Sequence, residues 1–159
     1  MDASEVLSTL QKCELFSGLS QAEIEAVSKS ATIEVFNAGE IVYEQGSIGD
    51  DLYILAKGQV SLERTVSIGR MGKANVTVFV QRETPSRRLM GSWSSLVGER
   101  HVQMCTAKCD QPTTLIRIPS SAFAKVVATL PQIRIKILEK LVIMLRERIA
   151  SSYEALETL

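Results

Sequence analysis

With 159 residues the chain fits one domain and can bury a sizeable core. Lys plus Arg and Asp plus Glu balance at 18 each, so the formal net charge is zero, which argues against a generally polyanionic partner such as nucleic acid. A composition 45% hydrophobic and 23% charged is that of a globular domain. No apolar run reaches the ~18 residues of a membrane span, no signal-type segment opens the chain, and three cysteines without framework spacing fit a reducing, cytoplasmic setting.

In chain order, residues 1–30 read as two helices. Val6, Leu7 and Leu10 recur at helical spacing after Ser4, the expected N-cap. Ser20 followed by Glu23 is a capping box that opens a second amphipathic helix. From Thr32 the period shifts to alternation, and short strands punctuated by Gly39, Gly46, Gly49 and Gly58 continue to Ile118. Ile68–Lys73 reads as a hairpin tip. Many short strands with glycine corners predict a compact all-β barrel or sandwich over 31–118. Ser120 is the expected cap of a short helix over 120–130, and a long helix runs over 132–157.

The run from Ala38 through Gly39-Glu40, Gln45-Gly46, Gly49-Asp50-Asp51-Leu52-Tyr53 and Lys57-Gly58 to Val60 is specific. It resembles the first half of the β-roll of cyclic-nucleotide-binding domains, the sensor fold of the catabolite activator protein family. Residues 89–107 resemble that family's phosphate-binding cassette, with Gly91 at its glycine and Ala107 at its alanine. The resemblance covers nearly the whole chain. It implies a mainly β double-stranded β-helix, or jelly roll of eight strands, with flanking helices and a long C-terminal helix.

In the family the cassette glycine is followed by a glutamate for the ribose 2′-hydroxyl, and ten residues on by an arginine for the cyclic phosphate. Ser92 stands at the first position and His101 at the second, while Val102 replaces a small hydroxylated residue. Arg offers a permanent charge and a bidentate fork; a neutral His offers one donor. Each lost charge-assisted bond costs about 1.5–3 kcal/mol, so ordinary cyclic AMP or cyclic GMP affinity is not expected. The resemblance places Gly91, Ser92, Trp93, Ser94, Ser95, His101 and Val102 around the ligand, a cyclic nucleotide or another small anion. Arg87 and Arg88 read as solvated loop cations, with one reaching an anion in the pocket as the alternative, and Trp93 and Met104 as filling of the roll, with shaping of an altered pocket as theirs.

Cys105 and Cys109 lack the further ligands of a metal site and read as buried thiols. The single histidine has no triad geometry, no phosphate-binding glycine loop is present, and enzymatic activity is not expected. On the long helix Ile135, Leu138, Val142, Leu145, Ile149, Ser152, Leu156 and Leu159 form a heptad seam, widened by Ile137, Leu141 and Met144 in its first half. The seam's second half, extending past the roll, predicts a homodimer through Leu138, Val142, Leu145, Ile149, Ser152 and Leu156. The expected role is a sensor module without direct DNA contact and without membrane attachment, passing its signal to a protein effector. Two alternatives are a dimeric interaction scaffold that binds no ligand, and the sensor half of a regulator whose helix-turn-helix is missing after Leu159.

Overall fold

In a computed structural model, residues 1–157 are described; Leu159, the last member of the expected seam, lies outside them. Helix α1 spans Ala3–Lys12 and starts two residues earlier than the Ser4 cap predicts. Asp2 is the cap: its carboxylate accepts from the Glu5 amide at 2.9 Å while Glu5 accepts from the Asp2 amide at 2.7 Å. This reciprocal box satisfies two orphan donors, which Ser4 alone would not do. Helix α2, Gln21–Ser28, carries the Ser20–Glu23 box at 3.3 and 2.8 Å.

Ten strands follow among the described residues: β1 Thr32–Phe36, β2 Ile41–Tyr43, β3 Ile48–Gly49, β4 Asp51–Lys57, β5 Val60–Ser67, β6 Lys73–Gln81, β7 Leu89–Gly91, β8 His101–Val102, β9 Thr106–Cys109 and β10 Thr113–Pro119. Two four-stranded antiparallel sheets, ordered β1-β10-β4-β7 and β2-β9-β5-β6, make the roll. The pair β3–β8 adds a short ribbon beyond the eight strands that the sequence implies, setting Gly49 opposite His101. At Gly49 an added Cβ would fall 2.2 Å from both the Ser92 hydroxyl and the Gln103 amide nitrogen, so the ribbon closes only around a residue without one.

Strand β4 is buried on both faces. Leu52 and Ile54 join Ile116 and Ile118 of β10 beneath Phe16, Ile24 and Phe123 of the helical layer, while Leu55 joins Val60, Met90 and Leu115 inside the roll. Helix α3 spans Ser120–Thr129, and Pro119, not Ser120, sits at its cap position with no side-chain bond. Ser120 is diverted because its amide donates to Asp50 O at 2.8 Å and its hydroxyl meets Ser95 Oγ at 2.5 Å. Helix α4, Pro131–Glu157, opens with a proline whose missing N–H would be unpaired there in any case. Its row Ile133, Ile137, Leu141 and Met144 is buried against the helical layer and the roll.

Candidate ligand-binding site

The cassette begins where β7 ends. Gly91 adopts φ +96°, and an added Cβ would stand 2.5 Å from Asp51 O. No other residue type fits so close to the neighbouring backbone at that dihedral. The Gly91 amide donates to the Tyr43 hydroxyl at 3.2 Å and the Ser92 amide to Asp51 O at 2.8 Å. A single 3-10 turn follows over Trp93–Val97, stopped by Gly98 in the left-handed region.

The cassette serines are tied inward. Ser92 is fully buried, and its hydroxyl accepts from Gln103 Nε2 at 3.1 Å. Ser95 Oγ donates to Ser92 O and reaches Ser120, and the Ser95 amide also returns to Ser92 O. Ser94 Oγ bonds His101 Nδ1 at 2.7 Å. His101 is 4% exposed, with its ring 5.2 Å from that of Trp93 in an edge-on arrangement. Burial pushes its pKa below the ordinary imidazole value, with a hydrogen bond from the ring to Gln103 opposing in part.

A cavity of about 730 Å³ lies between the roll interior and α4. Gly91, Trp93 and His101 line it; Ser92, Ser94, Ser95 and Val102 do not, and Val102 points into solvent from the β3–β8 ribbon. Trp93 and Met104 line the cavity, Trp93 also packing against the buried core, and Cys105 joins them half-buried. No carboxylate lines the cavity among the described residues.

Two readings of cations change. Arg88 is 6% exposed and no solvated loop residue: its Nη1 donates to Leu55 O at 2.6 Å and its Nη2 to Glu83 O at 2.7 Å. Arg87 lies 4.4 Å from the Phe79 ring centre instead of in open solvent. Neither lines the cavity. Its cations are Arg64, from β5, and Arg148, from α4. Arg148 holds its guanidinium 3.8 Å from the Phe79 ring centre and donates from Nη2 to Leu89 O at 2.6 Å. The sequence carried a signal for it: Arg148 takes the next place, four residues on, in the inward row 133-137-141-144.

The second half of α4 is also placed differently from the sequence expectation. Leu145, Ile149, Ser152 and Leu156 line the cavity, so this half lies over the roll rather than extending past it. A row seven residues apart, Ile135, Val142, Ile149 and Leu156, nevertheless stays between 54% and 68% exposed.

Residues 33–129 match the family model of the cyclic nucleotide-binding domain, well over half of the chain. The chain belongs to that family. Solved structures agree on the fold. The N-terminal domain of a transcriptional regulator from Streptomyces coelicolor is 20% identical, with 90% of this chain and 94% of that one covered at a TM-score of 0.71. A cyclic nucleotide-binding domain from Methylobacillus flagellatus is 20% identical over 95% and 80% at 0.73. The catabolite activator protein of Thermus thermophilus is 23% identical over 91% of this chain and 62% of its own, at 0.69. No curated protein matches the sequence. Among the described residues no helix is long and apolar enough to cross a membrane, and no acidic, His or Cys cluster could hold a metal ion.

Proposed function

We propose that this domain is a non-enzymatic, cytoplasmic sensor module that binds a small anionic ligand in the roll cavity and signals through α4 to a protein effector. The observation that carries it is Arg148, a cation brought from α4 to the cavity wall without an ion-pair partner among the described residues. A cyclic nucleotide held in the family's manner fits these residues poorly. Ser92 spends its hydroxyl on Gln103, His101 is buried toward its neutral form, and the wall has no carboxylate for a ribose. Two missing charge-assisted bonds cost about 1.5–3 kcal/mol each, enough to move a micromolar site toward millimolar.

The exposed row on α4 supports a homodimer as the signalling unit, because an apolar row repeating every seven residues fits a second copy of itself. The test is calorimetric titration with cyclic AMP and cyclic GMP at pH 6 and pH 8, beside thermal shifts with a panel of small phosphates and carboxylates. Nucleotide binding no tighter than millimolar at either pH, with stabilisation by at least one panel anion, is the expected result. Micromolar cyclic AMP binding would show that the altered cassette still serves the family's ligand. No stabilisation by any anion would remove the sensor reading in favour of a ligand-free scaffold.

A further inference from the structure

The cavity wall is apolar over most of its extent, with Val66, Val76 and Val78 from the β5–β6 hairpin facing Leu145 and Ile149 of α4. Its polar groups are largely engaged with the protein. The Tyr43 hydroxyl accepts from the Gly91 amide, Gln103 donates to Ser92, His101 meets Ser94, and Arg64 donates to Met104 O at 2.6 Å. Little is left there to read a sugar or a base.

Arg64 and Arg148 both keep spare N–H donors, but Arg64 is exposed and Arg148 is half-buried against the wall. One of the five N–H donors of Arg148 goes to Leu89 O, which leaves a fork able to take a planar acceptor through two parallel bonds. No carboxylate among the described residues stands within ion-pair distance of it. Glu14 contributes a favourable field, but its oxygens accept from the Arg88 and Leu89 amides. Burial works against the charge of Arg148, so an entering anion would replace solvation that the guanidinium has lost. The Leu89 carbonyl also accepts from Gln81 Nε2 at 2.5 Å, so it keeps a partner if Arg148 turns to a ligand.

We propose that the cavity takes an amphiphilic monocarboxylate, its carboxylate held by the Arg148 fork and its apolar body laid between the β5–β6 valines and the Leu145–Ile149 face of α4. This rests on the small-anion sensor reading and names the ligand class. One planar anionic head on an apolar body matches the one half-buried cation in a mostly apolar wall, whereas a nucleotide brings several polar groups that the wall would leave unpaired.

Trp93, the single tryptophan, lines the cavity and reports occupancy by its fluorescence. Decanoate, methyl decanoate and cyclic AMP are titrated into the unaltered chain, Arg148→Gln and Arg146→Gln, the last an exposed cation of α4 outside the wall. Saturable decanoate binding is expected, at least tenfold tighter than the ester. Arg148→Gln should weaken decanoate at least tenfold and Arg146→Gln leave it unchanged. Equal binding of acid and ester to the unaltered chain overturns the proposal, and this comparison stands even if Arg148→Gln fails to fold. Decanoate without effect, while another panel anion stabilises the protein, overturns the amphiphilic monocarboxylate and leaves the sensor reading intact. No response to any anion ends both.

Discussion

His101 stands where the family's cassette carries a permanent cation, and its surroundings favour the neutral form. The imidazole is enclosed by Trp93, with Nδ1 against the Ser94 hydroxyl and little water contact. Burial lowers its pKa from the ordinary 6.5, so between those values the unfolded chain binds a proton that the folded one refuses. Stability from this site is therefore complete above 6.5 and is lost as the pH falls below it. Urea denaturation at about pH 8 and about pH 5.5 should show a loss that shrinks in His101→Asn. An unchanged pH dependence in that variant would mean that His101 carries no part of it. The position was legible from the spacing of Gly91 and Ala107, but the charge state was not, because it depends on Trp93 folding onto the ring.

At the scale of elements, the helical layer is fastened by one residue used twice. Glu23 completes the α2 capping box through the Ser20 amide and also takes Lys136 Nζ of α4 at 2.8 Å. The Lys136 bond is the main reason its carboxyl titrates below the ordinary 4.5, helped by the cap amide. The sign is the reverse of the histidine case: this stability is present above 4.5 and disappears as the pH falls through it. Lys136→Met should cost about 1 kcal/mol at neutral pH, since Lys136 is partly solvated, and progressively less as the pH falls toward 3. A melting temperature lowered equally at both pH values would point to lost packing instead. Spacing alone revealed the cap, since Ser20 and Glu23 are three apart; the bond to Lys136 spans 113 residues and has no local signature. Arg148 lies between these cases. Its place in the inward row of α4 is readable, but only the seating of that helix over the roll turns it into a cavity cation.

For the molecule as a whole, α4 joins the site to the outside. One face carries Ile133, Ile137, Leu141 and Met144 into the core and then Arg148 to the cavity. The other exposes Ile135, Val142, Ile149 and Leu156, with Ile149 and Leu156 also on the cavity wall. A helix apolar on two faces covers its own domain with one and leaves the other for a partner. The strand pattern and glycine corners made the roll legible, while heptad spacing could not say which seam members turn inward. Val142 resolves this for the test, because it is exposed and absent from the cavity wall, so its replacement leaves the site untouched. Sedimentation at micromolar concentration should give twice the 17.5 kDa chain mass for the unaltered protein and the single mass for Val142→Glu. The variant should keep the Trp93 response to ligand, because the residues around the cavity remain in place. A monomer at every concentration would remove the homodimer, and a Val142→Glu dimer would move the interface off this row. If ligand also shifts the dimer's dissociation constant, Ile149 and Leu156 are the shared wall through which occupancy reaches the interface.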